Sequence, residues 1–248
     1  MRIHAFHRLF EHRMSLSTKP FNARGSKVVR CKFCQIMVDH CMCEHQPDLD
    51  TNLAVMLIVS DNEVMKPSNT GRLILDVVKE GFVYQWNRTE PDDEMLSLLN
   101  SDEYQPVIVF PSDYADDKTR VLESLDTPLK GEKKWLLIFI DGSWREARKI
   151  FRRSDYLAHL PVLSINPESV SQYMMRKSEN EQHLSTAEVA SLVLKQAQEP
   201  LAAQTLELWF EAFRESYMLS KTRYRPDLTK PSLRTFIEFK KPRDASNL

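Results

Sequence analysis

Glycine is scarce, with five in 248 residues. Neither G-x-G-x-x-G nor a P-loop occurs, so an ordinary dinucleotide or nucleoside-triphosphate site is not expected. Cysteine is absent outside Cys31–Cys43. No disulfide can therefore staple distant segments, and a reducing compartment, the cytoplasm, is expected. No apolar run approaches the length that crosses a bilayer, so no membrane partner is expected. The opening thirty residues lack the central apolar block of a secretory signal. What remains is an ordinary globular composition, 42% hydrophobic and 28% charged, sized for one large domain with a small appendage.

The net charge of −1 hides an asymmetry. Residues 1–34 carry eight Lys/Arg and one acid, Glu11; residues 221–248 carry eight Lys/Arg and three acids. Basic ends around an acidic body suit a polyanionic partner, or are solvated tails. Ile3, Phe6, Leu9, Phe10 and Met14 could share one helical face, as in a transit peptide or, more commonly, a short docking helix.

The cysteines run Cys31-x2-Cys34-x6-Cys41-x-Cys43. A Cys-x2-Cys turn aims two thiolates at one ion, and a nearby second pair completes a tetrahedron. Four sulfur ligands leave no open position, so the expected role is structural zinc, with redox or spare thiols, or an iron–sulfur cluster, as the minor alternatives. Arg24, Lys27, Arg30 and Lys32 surround this zinc knuckle, which could lean on phosphates.

Short apolar runs read as buried strands at Leu53–Val59, Phe82–Trp86, Val107–Phe110, Trp135–Ile140 and Val162–Ile165. Helical patterns lie between and after them: Thr70–Lys79, Glu94–Leu99, Trp144–Phe151, Glu168–Arg176, Ala187–Gln198 and Leu201–Leu219. The alternation predicts an α/β fold with a mostly parallel sheet flanked by helices. Glu44–Thr51 reads as a linker between the cysteines and the first strand.

In such sheets ligands bind beyond the carboxyl ends of strands. Asp141 follows an apolar strand directly, where it could act as a general base or orient a substrate N–H. Ser143 and Glu146 form a capping box for the next helix, leaving Asp141 for other work. Trp144 could stack on a nucleobase or serve as packing. Arg145, Arg148, Lys149, Arg152 and Arg153 make that helix basic: a nucleic-acid face or a solvated one. Ser185, Thr186 and Glu188 form a second capping box, whose helix start could also attract a carboxylate or phosphate. Arg72 and Arg88, in turns beside other strand ends, could fork an anion or be ordinary surface arginines.

Taken together the chain resembles the DTW-domain family, whose bacterial members are tRNA-uridine aminocarboxypropyltransferases. The resemblance runs from about Lys19 to about Arg225. It rests on the cysteine cluster, Met65-Lys66-Pro67-Ser68-Asn69-Thr70-Gly71-Arg72, Gln85-Trp86-Asn87-Arg88-Thr89-Glu90-Pro91, Val109-Phe110-Pro111, Asp141-Gly142-Ser143-Trp144 and Ser185-Thr186-Ala187-Glu188. The family's triplet has Thr before Trp; Ser143 takes that place and keeps the hydroxyl and the cap.

The resemblance implies a SPOUT-like fold with a C-terminal knot. It also implies four segments: a basic extension (1–18), a zinc-binding segment (19–50), a DTW catalytic domain (51–225) and a basic tail (226–248). S-adenosylmethionine would be co-substrate, its 3-amino-3-carboxypropyl arm going to N3 of a tRNA uridine, typically in the variable loop, with methylthioadenosine released. Phe110, Pro111, Ser112, Ile140 and Asp141 would line the adenosine pocket, and Arg72 or Ser185, Thr186 and Glu188 would hold the methionine carboxylate. Asp141 would serve the uridine. Trp144, Arg88, Arg145, Lys149, Arg152, Lys27 and Arg30 would face tRNA, with no obligate protein partner. The rivals are a SPOUT-like RNA methyltransferase, a non-catalytic zinc-knuckle RNA-binding protein and, more weakly, a family member acting on ribosomal RNA.

Overall fold

The computed structural model describes residues 1–18, 27–125, 129, 131–164, 184–220 and 227–241. The expected helix Glu168–Arg176 lies outside them, as do Arg24 and Ile165. Among the described residues six strands form one wholly parallel sheet: β1 (Leu53–Val59), β2 (Gly81–Gln85), β3 (Tyr104–Val109), β4 (Val121–Leu122), β5 (Lys134–Asp141) and β6 (Val162–Leu163). Their spatial order is β2-β1-β5-β3-β6-β4. Every residue of β1 is buried, because a parallel sheet covered on both faces reads as an unbroken apolar run.

Eight described helices are α1 (Ala5–Ser15), α2 (Asp61–Val64), α3 (Arg72–Val77), α4 (Asp93–Leu99), α5 (Trp144–Arg153), α6 (Thr186–Gln196), α7 (Pro200–Leu219) and α8 (Pro231–Lys240). Pro200 begins α7, where its missing N–H costs no hydrogen bond. Side-chain alternation along the strands splits the core in two. Val55, Leu57, Val107, Leu137 and Phe139 face α3, α6, α7 and α8; Ala54, Met56, Ile58, Ile108 and Ile138 face α4 and α5.

The two ends of the chain join the first of these layers. Phe6 of α1, Ile36 and Met42 of the cysteine segment, and Leu233 and Phe236 of α8 belong to the same buried cluster. Asp76 of α3 binds that layer together. One of its oxygens accepts from His4 Nε2 at 3.0 Å and Gln46 Nε2 at 2.5 Å, the other from Trp209 Nε1 at 2.9 Å. Residues 231–240, within the expected basic tail, form a helix whose first N–H groups are capped by Glu215.

The chain leaves β1 for β2 at one edge and leaves β3 for β4 at the other. The sheet therefore switches direction between β1 and β3, and β5 fills that gap. The crevice beyond the carboxyl end of β5 is the expected ligand position for such a sheet.

Candidate functional site

Asp141 closes β5 at this switch point and is only 2% exposed. Its carboxylate is held from two directions. Asn69 Nδ2 donates to Oδ2 and Thr186 Oγ1 donates to Oδ1, each at 2.6 Å. Asn69 is itself oriented, because its Oδ1 accepts from the Arg72 N–H at 3.1 Å. That fixes the amide with its NH2 toward Asp141. The Asp141 backbone carbonyl accepts from Ser60 N at 2.9 Å, tying in the end of β1. Burial pushes the Asp141 carboxyl up to about 6, against the pull of the two hydrogen bonds.

The turn before α3 and the start of α6 also meet directly. The Ala187 N–H points at Thr70 Oγ1 at 3.4 Å, and the Ser185 N–H donates to Glu188 Oε2 at 2.7 Å. Asp141, Arg72, Ser185, Thr186 and Glu188 are thus neighbours in space, although more than a hundred residues separate the first turn from α6. Asn69, Thr70, Gly71 and Ser60 belong to the same assembly; the sequence offers the first three only as parts of the Met65–Arg72 turn, with no role at the site, and gives no signal for Ser60. The signal for three of them was the Asn69-Thr70-Gly71 turn ahead of a helix.

Arg72 does not present itself as a surface fork. It is 2% exposed, its guanidinium donates to the Pro67 carbonyl, and the ring of Phe213 lies 5.2 Å from its central carbon. The burial comes from its place on α3, whose six residues are all buried.

The other strand ends form an aromatic wall. Phe110 stacks on Phe151 at 4.3 Å and on Trp144 at 5.5 Å, with Tyr114 edge-on to both Phe110 and Trp144. Trp144 is the exposed end of this ladder, at 43%. Pro111 is exposed and Ser112 half-buried, its N–H donating to Ser164 Oγ at 3.3 Å. Ile140 is half-buried. The capping box at the head of α5 is present, with Ser143 N donating to Glu146 Oε2 at 3.0 Å.

From that head runs the basic face of α5. Arg145, Arg148, Lys149, Arg152 and Arg153 line a groove of about 370 Å³. Lys149 also lies over the Trp86 ring, whose Nε1 donates to Ser154 Oγ. Arg88 is exposed on the loop after β2. Lys27 is exposed, whereas Arg30 is half-buried, donating to the Gln35 carbonyl at 3.0 Å and lying over the Tyr217 ring. The cysteine segment packs on the α7 side of the sheet and α5 on the other.

The four cysteine sulfurs lie within 4.8 Å of one another. Cys31 and Cys43 Sγ are 3.7 Å apart, and Cys34 and Cys41 Sγ 3.8 Å. Tetrahedral thiolates around zinc, with bonds of about 2.3 Å, stand roughly 3.8 Å apart. The cysteines are free, and these separations are far beyond a disulfide bond. A left-handed Gln35 (φ +61°) makes the knuckle turn, bringing Gln35 N onto Cys31 O and Cys31 N onto Ile36 O. The crowding sets the thiols against one another. A hydrogen bond with Cys43 pulls Cys34 down to about 5, while burial pushes Cys41 up to about 11. A bound cation would remove that conflict, and the cluster could bind a metal such as zinc.

A family model described as DTW domain matches residues 28–218. The chain belongs to the DTW-domain family. The match takes in the cysteine cluster, the 65–72 turn, Asp141 and the head of α6, and leaves α1 and α8 outside. Membership in the DTW-domain family is consistent with a tRNA-modifying transferase. No solved structure matches the chain. Among the described residues no helix is long and apolar enough to cross a membrane.

Proposed function

We propose that this DTW-domain protein transfers the 3-amino-3-carboxypropyl group of S-adenosylmethionine to N3 of a tRNA uridine, in the variable loop, and releases methylthioadenosine. The observation that carries the reading is the grip of Asn69 and Thr186 on Asp141 at the switch point, three residues before a helix with five cations. A small-ligand crevice and a polyanion-binding face then share one edge of the sheet. A SPOUT-like knot at the C-terminal end of the catalytic domain belongs to the same reading, as do cytoplasmic localisation and a structural zinc at Cys31, Cys34, Cys41 and Cys43.

The residues present fit such a co-substrate. The hydroxyl oxygen of Ser60, whose N–H donates to the Asp141 carbonyl, is buried without a hydrogen-bond partner among the described residues. Buried polar atoms of this kind want a ligand. Residues Phe110, Pro111, Ser112 and Ile140 offer a wall for a nucleoside, and the start of α6 offers the positive end of its dipole to a carboxylate. When bound, the sulfonium would supply an activated γ-carbon, and the pocket must aim that carbon, rather than the methyl, at the acceptor. Arg72 serves this pocket from inside, by holding the turn.

Asp141 acts here as an orienting group. Both its oxygens already accept hydrogen bonds, and the residue is almost wholly enclosed. It fixes the 69–72 turn and α6 about one pocket. Trp144 offers a ring for the target base, and Arg88, Arg145, Lys149 and Arg152 engage phosphates. Lys27 stays available to RNA, while Arg30 is committed to its own segment.

Nucleoside mass spectrometry of purified tRNA and rRNA, with and without the gene, tests this. Aminocarboxypropyl-uridine should vanish from tRNA in the deletion, and purified enzyme should release methylthioadenosine. Release of S-adenosylhomocysteine instead would identify a methyltransferase; no altered nucleoside at all would leave an RNA-binding protein.

A further inference from the structure

The cysteine centre and the 66–72 turn are joined by a continuous stack of side chains. Arg30, next to the first cysteine, has its guanidinium 5.9 Å from the Tyr217 ring centre. Tyr217 stacks on Phe213 at 5.9 Å, and Phe213 carries the guanidinium of Arg72 at 5.2 Å. Arg72 then holds the turn at two points, through Pro67 O and through its own N–H to Asn69. Arg72 is a buried cation with no carboxylate in ion-pair contact among the described residues, and its Nε is buried without a partner there. A cation so placed needs compensating charge nearby. Burial lowers its pKa to about 10, and Asp76, Cys34, Cys43 and Asp141 are the groups that oppose the fall. A metal held by four thiolates is a dianion in formal charge.

We propose that Arg72 is a positioning residue that couples the four-thiolate centre to the Lys66–Gly71 turn, so that a bound metal serves the cofactor pocket rather than the RNA surface. Together with Asp76, the metal centre supplies the counter-charge that keeps the guanidinium inside. The guanidinium pins the turn at Pro67, and the Arg72 backbone N–H that follows from that placement keeps Asn69 on Asp141. The basic groove of α5, on the opposite face of the sheet, stands outside this linkage.

The proposal rests on the turn lining the cofactor pocket, and the test separates the two. Zinc-loaded and chelator-stripped protein, both shown folded by circular dichroism, are compared by hydrogen exchange and by calorimetry with S-adenosylmethionine. Stripping should speed exchange across residues 66–72 and weaken cofactor binding, each about tenfold, leaving exchange in α5 unchanged; zinc should restore both. Unchanged exchange at 66–72 in the stripped, folded protein overturns the coupling. Zinc-loaded protein that binds no S-adenosylmethionine overturns the cofactor reading instead, while the exchange comparison still judges the coupling. Should stripping unfold the chain, loaded variants decide. Arg72→Met should release zinc to a coloured chelator about tenfold faster than wild type, and Arg72→Lys, which keeps the charge, should stay much closer to it. If Arg72→Met does not fold, Tyr217→Leu replaces it, with faster zinc release and faster 66–72 exchange expected. Equal release rates would sink the proposal in either case.

Discussion

Gly71 lies against the carboxylate of Asp141: a Cβ added to the glycine would stand 2.5 Å from Oδ2. The contact has nothing to do with backbone freedom, because Gly71 has an ordinary helical φ of −56°. It is a matter of space. Asn69 and Thr186 hold the carboxylate from other sides, so it has nowhere to retreat. Gly71→Ala should therefore cost about 1–3 kcal/mol of stability, seen as a lower melting temperature. It should also weaken S-adenosylmethionine binding by calorimetry. A folded Gly71→Ala protein with unchanged melting temperature and affinity would mean that the turn and Asp141 are not packed as described.

The basic groove on α5 makes a different prediction, about salt. If Arg145, Lys149 and Arg152 each neutralise one phosphate of a single-stranded tRNA loop, replacing all three with Gln lowers the slope of log K against log salt by about 2. Affinity for tRNA should fall at every salt concentration, most at low salt. Cofactor binding should not change, because these three side chains are exposed, and α5 meets the Phe110 wall through Trp144 and Phe151 instead. Fluorescence anisotropy across a salt series measures both quantities.

The sheet was legible where burial made the sequence monotonous. Leu53–Val59 was read with its observed bounds, and the starts of β2, β3 and β5 were each missed by one to three residues. The two-residue β4 was not seen, since Val121–Leu122 is too short to leave a pattern. The partner of each strand was also hidden, because parallel pairing of β1 with β5 joins segments about eighty residues apart. Asp141 and Thr186 were both visible as polar residues at element ends, but not that one hydroxyl donates to the other's carboxylate. Asn69 and Gly71 looked like parts of a turn. Their chemistry lies in what they touch, which no local period encodes. Arg72 shows the reverse error: an arginine in a turn reads as exposed until the burial of all of α3 is known.

The N-terminal helix should be the acid-labile part of the molecule. His7 stacks on His4 at 3.7 Å and accepts the His4 N–H at its Nδ1. Burial, helped by the neighbouring His4, lowers the His7 pKa from 6.5 to about 4. The unfolded chain then takes up a proton before the folded one does. The contribution of a neutral, docked His7 is present in full above pH 6.5 and is lost as pH falls toward 4. Asp76 adds a separate loss at lower pH, below its ordinary 3.8. Burial alone would raise its pKa, but His4, Trp209 and Gln46 outweigh that and hold it below the ordinary range. Hydrogen exchange in α1 should therefore quicken between pH 7 and pH 5, after correction for the intrinsic rate, before α5 responds. Equal protection of α1 at both values would argue that His7 is already charged or already free.

Asp141→Asn separates an orienting carboxylate from a proton acceptor, and its effect on stability has the opposite sign from the usual expectation. The folded-state pKa of Asp141, about 6, lies above its ordinary 3.8. Its contribution to stability is thus complete below pH 3.8 and lost as pH rises through 6; above that the buried charge is a burden of up to about 3 kcal/mol. Asparagine removes the charge and keeps the contacts. Its Oδ1 can accept from Asn69 while its NH2 faces Thr186, whose hydroxyl rotates to accept. The variant should melt above wild type at pH 8, and the gap should close near pH 4. Its kcat should fall less than the 10²–10⁴-fold typical of a lost general base, with the loss appearing mainly in the KM for S-adenosylmethionine. A kcat collapse at unchanged KM would make Asp141 the proton acceptor after all. A variant that melts lower at pH 8 would mean that its carboxylate is paired with a cation when the protein is in solution.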